Sequence, residues 1–239
     1  MNSNTVFITG AARRVGVALA GSFHARGWRV IAQCRELSGE LAALQRNGVT
    51  VLKGDLASVD GALSLAAKVH ATTRTLRAVI NNASKFEKSE KELNRAADQY
   101  QIFFMTHMMA PYLLTEALRD LLEAHTEGRS DVINMLDIYA ERPTLTYDLY
   151  ASTKAGLASL TRSFAKKLGP KVKVNGIAPG LILFPDGYGE EEKQRILANS
   201  LLKSEGGTES VVSLVHAILD NPFMTGAIVN LDGGRSLMI

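Results

Sequence analysis

One stretch near the start constrains the fold more than any other. Thr5–Thr9 (TVFIT) is a short β-branched run that passes directly into Gly10-Ala11-Ala12-Arg13-Arg14-Val15-Gly16. From Arg14 to Arg26 the apolar residues Val15, Leu19 and Phe23 recur at helical spacing, and Gly27 follows as a C-cap glycine would. A strand, a tight glycine turn and a helix in immediate succession form the opening half of a βαβ unit. The rest of the chain continues the alternation. Strands are predicted at Trp28–Cys34, Val49–Lys53, Arg77–Asn81, Asp131–Met135, Val172–Ile177 and Ala227–Leu231. Helices are predicted at Leu37–Arg46, Val59–Thr72, Leu93–Glu123, Tyr147–Leu168 and Thr208–Leu219, with a mostly helical insert at 186–202. Pro111 is expected to kink or divide the long fourth helix, and Gly169-Pro170 to stop the next. Long helical crossovers require parallel strands, and near-continuous apolar strands require a sheet covered on both faces. We expect one α/β domain spanning residues 1–239. Its form is a doubly wound Rossmann-type fold, with a mostly parallel seven-stranded sheet and helices on both faces.

Composition removes several function classes. With 46% hydrophobic and 21% charged residues the chain reads as an ordinary globular protein. No apolar run reaches the ~18 residues of a membrane span. The opening MNSNTVFITG enters a strand at once, so no secretory signal is expected. Cys34 is the single cysteine, which excludes an internal disulfide and favours the cytosol. The net charge of +3 is dispersed, with no basic stripe for nucleic acid, and the five histidines show no metal-ligand spacing.

The first strand–helix junction has the form of a dinucleotide site. Gly10 permits the tight turn, Gly16 permits close helix–strand packing, and the helix N-terminus offers free N–H groups to a pyrophosphate. Arg13 and Arg14 are placed to meet phosphate oxygens. A NAD-specific site carries an acid at the end of strand two, whereas this chain reads Ala32-Gln33-Cys34-Arg35. Arg35 suits a 2′-phosphate, so NADPH/NADP+ is the expected cofactor. Asp55, in Gly54-Asp55-Leu56, either accepts from the adenine amino group or caps a turn. Asn81-Asn82-Ala83 falls at the same carboxyl edge. Tyr150 and Lys154 share one helix face at i and i+4. An ammonium there would stabilise a phenolate, which is how a tyrosine becomes useful in proton transfer.

Thr9-Gly10…Gly16, Asn81-Asn82-Ala83, Tyr150-x-x-x-Lys154 and Pro179-Gly180 occur in an order and spacing that resemble the short-chain dehydrogenase/reductase family over essentially the whole chain. Asp137 stands where that family usually has serine, and Arg14 where many members have glycine. Together with Asn82-Ala83-Ser84-Lys85-Phe86, these replacements resemble the pteridine reductase branch, of the bacterial dihydromonapterin reductase or alternative dihydrofolate reductase type. The resemblance implies NADPH-dependent reduction of a dihydropterin (dihydromonapterin, dihydrobiopterin or dihydrofolate). Catalysis would fall to Asp137, Tyr150 and Lys154. Cofactor binding would fall to Gly10, Arg13, Arg14, Val15, Gly16, Arg35, Asp55, Leu56, Asn81, Asn82, Ala83, Ser84, Tyr150, Lys154, Pro179, Gly180 and Leu181. Substrate would meet Arg14, Ser84, Phe86, Asp137, Tyr150 and Leu183, with Phe86 stacking on the pterin. A homotetramer and a substrate lid near 183–202 are implied as well. Three plainer roles stay open: Asp137 as a turn cap, Phe86 as loop packing, and His107 as a packed helix residue. Two other functions also stay open: a ketone or acyl-carrier reductase, and a non-catalytic NADPH sensor.

Overall fold

The computed structural model describes residues 4–185 and 187–238. Asp186, the expected first residue of the insert, lies outside the described residues. Seven strands, β1 (Thr5–Ile8), β2 (Arg29–Cys34), β3 (Thr50–Lys53), β4 (Ala78–Asn81), β5 (Ser130–Met135), β6 (Val172–Pro179) and β7 (Ile228–Leu231), form one sheet in the order β3-β2-β1-β4-β5-β6-β7. Every neighbouring pair is parallel, so the sheet is wholly rather than mostly parallel. Strand order reverses between β1 and β4. In a sheet of this kind the crevice beyond the carboxyl ends at that reversal is where ligands bind.

Alternation along the strands divides the core. Val6 and Ile8 face one layer, with Leu19 and Phe23 of α1 (Val15–Ala25) and Val211 and Val215 of α9 (Gly207–Asp220). Phe7 and Val79 face the other layer, with Leu65 and Val69 of α3 (Val59–Thr72), Leu114 of α5 (Ala110–Ala117) and Phe164 of α7 (Asp148–Leu168). The remaining α-helices are α2 (Gly39–Arg46), α4 (Leu93–Phe104), α6 (Arg119–Glu123) and α8 (Glu190–Leu197). The helix expected over Leu93–Glu123 is interrupted at Leu118 (φ −103°, ψ 8°) rather than at Pro111, and its path up to there includes one irregular turn. Met105–Met109 forms one π-helical turn, and Pro111 sits in the first turn of α5, where a missing N–H costs nothing. The insert is less helical than expected. Among its described residues only α8 is regular, and no α8 residue is buried. No helix of the described residues is long and apolar enough to cross a membrane.

Candidate active site

The phosphate loop is shaped by close contacts. A Cβ on Gly16 would lie 2.2 Å from the Gly10 carbonyl oxygen, so no other residue fits there. Thr9 and Asn82 lock the loop to the end of β4. The Thr9 hydroxyl oxygen accepts from the N–H groups of Asn82 and Ala83, both at 3.0 Å. Asn82 Nδ2 donates to the carbonyls of Thr9 and Gly10. Gln33, to which the sequence assigns no role, has one here. It is buried, its Oε1 accepts from Gly10 N–H at 2.8 Å, and its Nε2 donates to Gly54 O at 2.7 Å.

Ser38, Ser58 and Glu92 cap α2, α3 and α4 with their side chains, whereas α1 has no side-chain cap and no acid in its first turn. A helix N-terminus cradled by glycine and free of a side-chain cap or acid, starting at Val15, has the polarity to receive an anion such as a pyrophosphate. Arg13 and Arg35 are exposed beside it. A cleft at the end of β2 and β3 brings Arg35 together with Glu36, Lys53, Gly54 and Asp55. Lys53 is a second cation in this cleft, marked by no motif in the sequence. Asp55 Oδ1 accepts from Ala57 N–H at 3.0 Å, so the turn-capping role is realised, and Leu56 points into the core. Asn81 is buried, donating through Nδ2 to Asn134.

Arg14 has φ 55° and ψ −129°, a conformation suited to glycine. That geometry explains why glycine is usual there. The arginine is held by its head group, which donates to the carbonyls of Leu183 (2.7 Å) and Phe184 (3.4 Å). The structure therefore shows Arg14 on the backbone of the expected lid. On the same side, Gly180 N–H donates to Leu231 O, and Leu181 O accepts from Gly206 N–H. This fixes the segment that follows Pro179 over the sheet edge.

The residues expected to carry the chemistry come together where β5, α7 and the β4 loop converge. Tyr150 and Lys154 lie on α7 and are almost wholly buried. Tyr150 Oη donates to Asp137 Oδ2 at 3.0 Å. Asp137 Oδ1 accepts from Tyr139 N–H at 2.9 Å, so Asp137 caps a turn and binds the tyrosine at once. Burial pushes the Asp137 carboxyl up to about 6, against the pull of its hydrogen bonds and of Lys154 and Arg235. Arg235, from the final turn, is a contributor with no earlier assignment.

Lys154 Nζ donates to Met135 O at 2.8 Å and sits 5.6 Å from the centre of the Tyr150 ring. Burial lowers its pKa to about 8. Tyr150 is held well above its usual range by burial and then by the Asp137 charge, with a Ser84 hydrogen bond opposing. The phenol is thus a neutral donor, and the two groups brought toward neutrality are its carboxylate partner and Lys154.

Phe86 is half exposed. It stacks on Tyr147 at 4.5 Å and meets the Tyr150 ring edge-on at 4.9 Å. Tyr139 stacks on Tyr147 in turn, so one aromatic wall flanks the carboxylate–phenol pair. Among the described residues no cluster of His, Cys, Asp or Glu is placed to hold a metal ion.

A glycine-cradled helix end and a tyrosine–lysine pair on one Rossmann sheet define a class, and a family model described as enoyl-(acyl carrier protein) reductase matches residues 10–236. The chain belongs to the short-chain dehydrogenase/reductase family. Among its relatives is a dihydromonapterin reductase of Enterobacter sp. (strain 638), 38% identical over 97% of this chain and 96% of that one. The dihydromonapterin reductase of Escherichia coli (strain K12) is 39% identical over the same shares. Of solved structures, FolM alternative dihydrofolate reductase 1 from Brucella canis, complexed with NADP, superposes with a TM-score of 0.86. It is 26% identical, over 98% of this chain and 94% of that chain.

Proposed function

We propose that this protein is an NADPH-dependent reductase of a dihydropterin, adding hydride to the carbon and a proton to the nitrogen of one ring C=N bond. The observation that carries the reading is the 3.0 Å hydrogen bond between Tyr150 and Asp137, a carboxylate where a ketone reductase of this family needs a serine. The dihydromonapterin reductases among its relatives support the substrate class. The uncapped α1, the Gly16 contact and the Arg35–Lys53 cleft support NADPH.

Bound NADPH supplies the hydride. Gly10, Arg13, Val15, Gly16, Asn81, Asn82, Ala83, Pro179, Gly180 and Leu181 would hold it along one edge, and Arg35 would meet its 2′-phosphate. Asp55 and Leu56 border the adenine end. Phe86 and Leu183 bound the pterin, with Ser84 and Arg14 at its polar edge.

The proton path follows from the two acidities. A free phenolate at Tyr150 is costly, because burial and a neighbouring carboxylate both oppose it. Once Asp137 is protonated the hydrogen bond reverses, with the carboxyl donating to Tyr150 Oη, and Tyr150 gives its own proton to the ring nitrogen as it takes the one from Asp137. The pair ends as a neutral phenol and a carboxylate, which solvent reprotonates. A carboxyl near 6 suits that task at neutral pH. Lys154 holds the β5 end through Met135 O and keeps a positive charge near the pair.

Residues 183–202 are the proposed lid, tethered through Arg14. Exposed Leu93, Tyr100, Phe104 and Tyr112 on α4 and α5 suit an interface between copies of this chain, as a homotetramer requires. The buried, unpaired Cys34 fits the cytosol.

The test is NADPH oxidation followed at 340 nm with a dihydropterin, dihydrofolate, simple ketones and an acyl-carrier ketone. Dihydropterin turnover with little ketone turnover is expected. Turnover of ketones alone would reassign the enzyme as a carbonyl reductase, and NADPH binding without any turnover would make it a sensor.

A further inference from the structure

The β4 loop that carries Phe86 runs from Asn82 to Lys91 without regular structure. Its two ends are fastened. Asn82 and Ala83 bond Thr9, while Lys88, Ser89 and Glu90 bond Gln99, Thr146 and Asp148. Between Ser84 and Glu87 one backbone group among the described residues has a hydrogen-bond partner: Lys85 N–H donates to His107 Nε2 at 3.1 Å.

His107 is fully buried in the π-helical turn, and its ring stacks on Phe103 and meets Tyr150 edge-on. The turn sits close against α7 at Gly156, where a Cβ would lie 2.4 Å from Met108 Cε. Since Nε2 accepts from Lys85, the proton of a neutral ring is on Nδ1, 2.9 Å from Thr153 Oγ1. Thr153 in turn donates to Tyr150 O at 2.8 Å. The Ser84 hydroxyl is 3.2 Å from the same Nε2 and also bonds Tyr150. Burial and the nearby Lys154 charge keep the ring neutral, so its donor and acceptor sides stay distinct.

We propose that His107 is a positioning residue that sets the loop bearing Ser84 and Phe86 against Tyr150. It accepts from the loop through Nε2 and anchors to α7 through Nδ1–H. It touches neither the reacting atoms nor solvent. Its effect is on where the Phe86 ring stands, and hence on capture of a flat heteroaromatic ring. The inference rests on the reading that this site takes such a ring.

Two substitutions separate the sides of the imidazole. The carboxamide of His107→Gln reaches the Nε2 position and can accept from Lys85, whereas that of His107→Asn reaches the Nδ1 position and cannot. KM for the dihydropterin should rise about tenfold in H107N, the effect of one lost buried hydrogen bond. In H107Q it should stay within about threefold of the parent, with KM for NADPH unchanged in both. Adding Phe86→Ala to H107N should raise KM no further than Phe86→Ala alone. Additive effects, or a fall in kcat at constant KM, would overturn the proposal.

Two measurements are independent of turnover. Amide exchange at Lys85 should be slow in the parent and in H107Q but fast in H107N. The imidazole 15N spectrum of the parent should show a neutral ring protonated at Nδ1. An Nε2–H tautomer overturns the proposal even if neither variant folds. A correct spectrum and exchange pattern without pterin turnover would leave the loop anchor standing and refute only the substrate class.

Discussion

Replacing Asp137 with asparagine should make the protein more stable and nearly inactive. The carboxyl is raised from 3.8 to about 6, chiefly by burial. At ~1.4 kcal/mol per pKa unit, that shift destabilises the ionised folded form by about 3 kcal/mol. The folded state holds this proton more tightly than the unfolded chain does. The cost is therefore absent below the unfolded pKa, grows between 3.8 and about 6, and is complete above that range. Asparagine has no charge to bury, but its single oxygen cannot serve both Tyr139 N–H and Tyr150 Oη, which takes back about 1 kcal/mol. The net expectation at pH 8 is a gain of about 2 kcal/mol, or roughly 4–8 °C in Tm for a chain of this size. The two proteins should melt together near pH ~4.5, where about a third of the cost has developed and offsets the lost hydrogen bond. Turnover should fall at least ~100-fold, since the remaining proton source is a phenol held above its usual range. Thermal melts of both proteins from pH 4.5 to 8, with kcat measured alongside, test this. A D137N protein that melts at or below the parent at pH 8 would refute the burial argument, and one that keeps its turnover would refute the proton path.

Gly16→Ala should lose NADPH binding and melt lower, because its Cβ would overlap the Gly10 carbonyl; unchanged NADPH affinity by fluorescence titration would contradict the loop geometry. Arg35→Ala should lower kcat/KM for NADPH about 10–100-fold, the worth of a charge-assisted hydrogen bond, and leave NADH nearly untouched. Equal losses with both cofactors would contradict the 2′-phosphate assignment. Arg14→Gly removes a positive-φ side chain that costs ~1–3 kcal/mol but also unties Leu183 and Phe184. Its Tm should stay within a few degrees while KM for the pterin rises, and a large drop in Tm would show that the tether matters more than the backbone.

The fold was largely legible because its signals are local. Val59–Thr72 is found as a helix over the expected residues, since Ser58 caps its start and its apolar spacing is unbroken. The π-helical turn was not legible. Its register depends on how His107 and Met108 pack against α7, and Pro111 marks only the helix that follows. At the site, Tyr150, Lys154 and Asp137 could be paired from spacing and resemblance. The direction of their acidities could not, because it depends on burial and on which carbonyl Lys154 reaches. Arg14 stood out as a replaced glycine, although its bond to the 183–184 backbone required the fold. Gln33 and Lys53 went unassigned because their partners, Gly10 and the Arg35 cleft, are distant in sequence.

Hydride transfer to a pterin ring can be read in the product itself. NADPH carrying deuterium on the transferable nicotinamide carbon, incubated with the protein and a dihydropterin, should yield a tetrahydropterin heavier by one deuterium at the reduced ring carbon. Dihydropterin recovered unlabelled and unreduced, while a ketone in the same mixture gains the deuterium, would contradict the assignment.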